Sequence, residues 1–282
     1  MPGRAFSNAI WVHEPIPVQA AARESEVAVP GSSLRYWDTG GDGPAVVLLH
    51  AGTQSADGWV YQQPVLSQAG YRVIAYSRRG YAGSGPDSAT DPAVASDDLH
   101  CLIRHLGLTS IHLVAAAHGG FFAIDYALSH PDYVATLSVI SSLMGIQEED
   151  YLVITQRLRP AWFANLPHDF QELSPSYRAG DPEGLAAWNR LTDAAVSGVR
   201  VPPRLRHHLS WAMLESLRMP ILLMTGCSDL FVPPSLLRMQ AAHLLGAEVH
   251  VIAEAGHSPY WEQPRLCNDV LLDFLRRQRE AG

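Results

Sequence analysis

Lysine is absent: all 20 basic residues of the 282 are arginine. That excludes Schiff-base chemistry, pyridoxal-phosphate attachment, a Walker-type phosphate loop and a lysine general base. Cysteine is scarce. Cys101, Cys227 and Cys267 form no C-x-x-C pair and no metal knuckle, so they read as reduced thiols of a cytoplasmic protein. Cys227 in particular reads as a small buried residue. Positive charge is short, with 28 acidic against 20 basic residues and a formal charge of −8. Nucleic acid and anionic membrane surfaces are poor partners for such a chain. No apolar run reaches the roughly 18 residues of a membrane span. Met1 to Arg23 lacks the continuous apolar stretch of a secretory signal. Three readings stay open for it: a leader packed over the domain, contacts within a homodimer, or disorder. Neither metal-ligand spacing nor a dinucleotide fingerprint occurs, so no metal and no cofactor are expected. What is present is ordinary globular material, 47% hydrophobic and 17% charged, enough for one large domain or two small ones.

Glu26–Val29 and Ser33–Asp38 alternate like exposed strands around a Pro30-Gly31 turn. Six short apolar runs follow: Pro44–His50, Tyr71–Ser77, Ser110–Ala116, Val134–Ser141, Ile221–Gly226 and Glu248–Ala253. Such runs suit strands buried on both faces. Helical spacing appears over Pro92–Leu106, Gly119–Ser129 and Leu266–Arg277. Alternating strand and helix with short connections predicts an α/β fold, a doubly wound and mostly parallel sheet. Residues 142–219 break the alternation. They hold helix-like pieces at Glu148–Arg159 and Pro182–Ser197 and aromatics including Trp162, Phe163, Phe170, Trp188 and Trp211. This predicts an all-helical cap or lid over the carboxyl edge of the sheet, where ligands bind in open α/β sheets. The division is therefore an extension at 1–23, a core at 24–141 and 220–282, and a cap at 142–219.

Loops after the strands carry the chemistry. Gly52 and Thr53 follow the first buried strand, and a glycine there lets an amide approach a substrate oxygen. Ala115-Ala116-Ala117-His118-Gly119-Gly120 makes a tight strand-to-helix turn, with the His118 amide at a helix N-terminus. Asp229 and His257 end neighbouring strands, where a carboxylate can fix the imidazole tautomer and support its charged form.

With these residues placed, the chain from about Glu24 onward resembles the α/β-hydrolase superfamily. LLHAGT (Leu48–Thr53), YSRRGYAGSG (Tyr76–Gly85), LVAAAHGGF, LLMTGCSDLFVPP (Leu222–Pro234) and EAGHSPYWEQP (Glu254–Pro264) stand in the family's order. The resemblance implies Asp229 as the triad acid and His257 as the base, with oxyanion donors from Gly52 and His118 and a contribution from Thr53. It lies closest to the capped subgroup of meta-cleavage-product hydrolases, enol-lactonases and small carboxylesterases. The departure is at the elbow. The family's G-x-S-x-G falls on Ala115-x-Ala117-x-Gly119, so the nucleophile position, Ala117, has no hydroxyl. The nearest serines in the chain, Ser110 and Ser129, lie at the strand start and the helix end.

Two origins account for Ala117: a serine replaced by design, or a branch of the fold that never used one. Three functions then compete. The first is hydrolysis of a small, mostly apolar or aromatic ester, lactone or C–C bond, latent until a serine is restored. The second is serine-free, cofactor-free catalysis (lyase, decarboxylase or oxygenase-like), with the His257–Asp229 dyad as general base. The third is a binding protein without turnover. Trp59, Phe122, Trp162, Tyr260 and Trp261 are candidate substrate-lining residues, each with core packing as the alternative. Arg78 and Arg79 follow a strand and could meet a substrate carboxylate, but in the family the chain resembles that stretch more often serves structure; His207-His208 reads as packing, and Asp97-Asp98 as a solvated helix face.

Overall fold

The computed structural model describes residues 14–197 and 201–281. Eight strands form one sheet: β1 (Arg23–Val29), β2 (Ser32–Asp38), β3 (Ala45–Leu49), β4 (Arg72–Tyr76), β5 (Ile111–Ala116), β6 (Val134–Ile140), β7 (Ile221–Gly226) and β8 (Glu248–Ile252). Their order is β1-β2-β4-β3-β5-β6-β7-β8. The β1–β2 and β2–β4 pairings are antiparallel, and every pairing from β4 to β8 is parallel. β1 and β2 turn at Pro30-Gly31, where Gly31 has φ +74°.

Central strands are buried on both faces because successive side chains point opposite ways. Val47 and Leu49 of β3 join Leu113 and Ala115 of β5 on one side, against Leu99, Leu102 and Ile103 of helix Ala95–His105 and against Phe122 of helix Gly119–Ser129. Val46 and Leu48 join Val114 and Ala116 on the other side. There Cys267, Leu271, Phe274 and Leu275 form one stripe of helix Pro264–Ala281, at the i, i+4, i+7, i+8 spacing of an amphipathic helix. Each such aliphatic or aromatic side chain contributes about 1.5–3 kcal/mol by leaving water. β8 differs from the fully buried strand its composition suggested. It is the edge of the sheet among the described residues, and Val249 and Val251 are exposed.

Between β6 and β7 the structure has short helices and turns, including Glu149–Arg157, His168–Glu172, Pro175–Gly180, Pro182–Ala194 and Trp211–Glu215. The insert is tied back to the core at several points. The buried Asp125 carboxylate accepts the amides of Arg206 (3.0 Å) and His207 (2.9 Å), the Ser96 hydroxyl (2.7 Å) and the His207 ring (2.8 Å). His207 is thus occupied in packing. The aromatics of the insert divide: Phe163 and Trp188 are buried, while Trp162 and Phe170 are exposed. Residues 14–22 run along the Ala56–Gln68 region, where the Tyr61 hydroxyl donates to the Glu14 carbonyl (2.6 Å) and the Ala20 amide to the Gln63 side chain (2.9 Å). Residues 1–13 of the extension lie outside the described residues.

Candidate active site

The parallel strands deliver five loops to one edge of the sheet: those after β3, β5, β6, β7 and β8. They meet the insert around a cavity of about 270 Å³ lined by Gly52, Thr53, Ala117, His118, Phe121, Ser141, Leu143, His168, Gln171, Glu172, Phe231 and His257. The volume suits a small molecule.

The elbow is built on backbone constraint. The Ala117 amide donates to the Ile140 carbonyl (2.8 Å), and its own carbonyl accepts from Gly120 (3.1 Å). Between those bonds Ala117 adopts φ +49°, a left-handed conformation unfavourable to a residue with a Cβ. Gly119 follows because a Cβ there would collide with the carbonyl oxygens of Leu49 and His50. The backbone thus keeps the sharp turn that presents residue 117 to the cavity, and what it presents is a methyl group. His118 opens helix Gly119–Ser129, and its ring packs against Phe121 and Phe122.

Asp229 and His257 form a buried pair. Both carboxylate oxygens lie 2.9 Å from His257 Nδ1. Oδ1 also accepts the amides of Phe231 (2.7 Å) and Val232 (2.9 Å), and Oδ2 lies 2.9 Å from the Thr225 hydroxyl. Burial opposes the Asp229 charge, but His257 and these donors outweigh it and hold the pKa below the usual carboxylate value. For His257, burial alone would lower the pKa. Asp229, with a further contribution from Glu172, outweighs it and raises the value. With Nδ1 occupied, Nε2 is the ring nitrogen left to exchange a proton with something in the cavity.

Glu172 is the residue that sequence reasoning missed. It ends the five-residue helix His168–Glu172, whose His168, Gln171 and Glu172 share one face at i, i+3, i+4 and all line the cavity. The Thr53 hydroxyl donates to Glu172 Oε2 (3.1 Å), as does that of Ser258 (3.4 Å). Burial raises the Glu172 pKa, only partly offset by His257, the Thr53 hydroxyl, His168 and Ser258. The i, i+3, i+4 polar triad after Pro167 was the available signal, and it reads equally well as a solvated helix. Ser141 at the end of β6 is a second omission. Among the described residues it is the serine that lines this cavity, and its hydroxyl lies 3.5 Å from that of Thr225.

The helix is stitched to the His257 loop. The His257 amide donates to the Glu172 carbonyl (2.6 Å), and Glu262 accepts the amides of Ser174 (2.8 Å) and Gly256 (2.9 Å). A Cβ on Gly256 would sit 2.6 Å from the Glu172 carbonyl oxygen, so the close approach requires glycine. Burial pushes the Glu262 carboxyl up to about 7 despite those donors.

Other candidates lie elsewhere. Trp59, Phe122, Tyr260 and Trp261 are at most 2% exposed and pack in the two cores rather than along the cavity. Their size and apolarity made them equally good core residues, and the Trp59–Tyr260 ring contact shows where that apolar surface went. Trp162 is 59% exposed and does not line the cavity. Arg78 is a clamp: its guanidinium donates to the carbonyls of His50 (2.5 Å) and Ala51 (3.2 Å), fixing the loop that leads to Gly52. Arg79 pairs with Asp98 at 2.7 Å, so Asp98 is a buried ion-pair partner and not part of a solvated face. Cys227, expected to be buried, is exposed.

Residues 44–176 match the profile of the family described as the α/β hydrolase fold. The chain has the α/β-hydrolase fold. It is 27% identical over 281 residues to a 2-hydroxy-6-oxononadienedioate/2-hydroxy-6-oxononatrienedioate hydrolase of Burkholderia vietnamiensis, covering 92% of this chain and 96% of that one. Among solved structures it is similar to the enol-lactonase from Burkholderia xenovorans LB400, with TM-score 0.71, 20% identity and 89% and 100% of the two chains covered. It is similar also to carboxylesterase CesB from Bacillus subtilis, with TM-score 0.73, 21% identity and 92% and 93% covered. The two structures share the α/β-hydrolase fold with it. No helix among the described residues is long and apolar enough to cross a membrane.

Proposed function

We propose that this α/β-hydrolase-fold enzyme cleaves a small ester or lactone by direct attack of water, with His257 as the general base and no acyl-enzyme at residue 117. The observation that carries the reading is the pairing of a methyl group at the elbow with a histidine held by both oxygens of a buried carboxylate. His257 Nε2 takes a proton from water, Asp229 supports the imidazolium, and the amides of Gly52, Thr53 and His118 receive the developing oxyanion. The hydrolase relative at 27% identity supports bond cleavage by water over a binding role. The apolar contacts come from Phe121, Leu143 and Phe231, and the cavity size favours a compact substrate.

A second reading is favoured by the +49° φ of Ala117, the strained elbow of an enzyme that uses a serine there. The experiment compares the chain as it stands with Ala117→Ser and His257→Ala on p-nitrophenyl acetate. Direct water attack predicts turnover by the Ala117 protein without a burst, falling by about 10²–10⁴ in His257→Ala. An inert Ala117 protein that gains turnover with a burst in Ala117→Ser would replace the first reading with the second.

A further inference from the structure

We propose that Glu172 is a second catalytic residue of this site, the general acid that protonates the leaving oxygen of an ester or lactone whose alcohol is a poor leaving group. The proposal rests on the water-attack reading above and deepens it. Two buried carboxyls join the insert to the His257 loop, and they do different work. Glu262 accepts backbone amides from both sides, which is a structural task. Glu172 joins that junction through its backbone carbonyl, which accepts the His257 amide, and its carboxyl takes no backbone amide there, only the Ser258 hydroxyl. Its carboxyl is left to line the cavity, steadied by the hydroxyls of Thr53 and Ser258.

An acid distinct from the base is what this elbow calls for. In a serine enzyme one imidazole takes the serine proton and hands it to the leaving group. Here the attacking group is water and the base is fixed on the core side by Asp229, while Glu172 enters from the insert. The 2.6 Å bond between the His257 amide and the Glu172 carbonyl sets the spacing of the two side chains through the backbone. The groups that face Glu172 are His168 from its own helix, Thr53 from the loop after β3, and His257, Ser258 and Tyr260 from the segment after β8. The Asp229 carboxylate and the Arg159 guanidinium also act on His257. Burial favours the protonated carboxyl that an acid needs.

The step balances within these residues. Water bonds to the acyl carbon as His257 takes one of its protons. The acyl–oxygen bond then breaks, and the leaving oxygen takes the proton of Glu172. The imidazolium proton passes to the Glu172 carboxylate, and a carboxylic acid and an alcohol are released.

The test uses two probes with the intact chain. p-Nitrophenyl acetate expels a phenolate that needs no proton, whereas δ-valerolactone expels an alkoxide that does. Glu172→Gln keeps the size of the side chain and an acceptor for Thr53. It is expected to lower kcat on the lactone by about 10²–10⁴ and to change the nitrophenyl ester far less. The kcat–pH profile on the lactone should lose one of its two limbs, and Glu172→Asp should restore part of the rate. Equal losses on both probes, or no loss on either, overturn the acid role while leaving the general-base reading intact. Rates on both probes that are unaffected by His257→Ala, or no turnover of either by the unaltered chain, overturn the general-base reading itself.

Discussion

Asp229 and Glu172 bear the same functional group and both act on His257, and the fold treats them in opposite ways. Asp229 belongs to the loop after β7. That loop turns two backbone amides onto one oxygen, while the Thr225 hydroxyl and the His257 ring complete the shell. Glu172 belongs to a short helix of the insert and receives two hydroxyls, at 3.1 and 3.4 Å. Both carboxyls are buried, so burial does not distinguish them. The donors do. Asp229 has the His257 ring against both of its oxygens, the largest influence lowering its pKa, with fixed amides behind it, whereas the hydroxyls on Glu172 can rotate and accept a hydrogen bond from the protonated form. The shell around Asp229 thus lowers its pKa, while burial with two hydroxyls leaves that of Glu172 raised.

The comparison breaks most readily at its rigid side. Asp229→Asn keeps the shape but cannot support an imidazolium, and it leaves the Phe231 and Val232 amides facing a weaker acceptor. A fall in kcat of about 10³–10⁴ is expected. Steady-state rates on p-nitrophenyl acetate provide the check, and a loss below tenfold would show that the Asp229 charge is dispensable. The pH dependence of stability carries the matching sign. The folded pKa of Asp229 is depressed, so its contribution is full above the unfolded carboxylate pKa and disappears as pH falls through the folded value.

The core half of this site was legible because its signals are local. Gly-Cys-Ser-Asp after an apolar run, Gly-His-Ser-Pro after another, and a small-residue turn before a helical stretch each announce a strand end carrying chemistry. The same locality made the sheet readable, with β3, β5, β6 and β7 falling inside the runs Pro44–His50, Ser110–Ala116, Val134–Ser141 and Ile221–Gly226. The insert half was not legible. His168–Glu172 is five residues long, flanked by Pro167 and rich in polar groups, so its own pattern suggests a solvated turn. Its meaning comes from a junction with residues 254–262, about ninety positions away, that no window along the chain contains. The aromatics misled for the opposite reason. Large apolar rings next to catalytic motifs are needed by the core as much as by a pocket, and the core took Trp59, Phe122, Tyr260 and Trp261.

On the insert side the expected effect on stability is smaller and reversed in sign. The folded Glu172 pKa is raised, so the native state binds that proton more tightly than the unfolded chain. Below about pH 4, where both states are protonated, the carboxyl exacts no penalty. The penalty grows as pH rises through the folded value. Glu172→Gln should therefore stabilise the protein at pH 8 by about 1–3 kcal/mol, the scale of an incompletely satisfied buried polar group. The gain should fade by pH 4. Urea midpoints at the two pH values measure it, and a variant destabilised at pH 8 would mean that Glu172 is held as an anion like Asp229.

The smallest effect concerns the elbow between the two carboxyls. Ala117 at φ +49° bears the penalty of a Cβ in the left-handed region, about 1–2 kcal/mol. Glycine removes that penalty but returns about 0.5–1 kcal/mol of backbone entropy to the unfolded chain. The Ala117 methyl borders the cavity and is only 9% exposed, so its removal sacrifices some apolar contact as well. Ala117→Gly should accordingly stabilise the fold by about 0.5–1 kcal/mol at most. If chemical denaturation instead shows a loss, the methyl group is contributing packing that exceeds the strain. Residue 117 would then be a wall of the cavity in its own right, shaping the space between His257 and Glu172 where water and substrate meet.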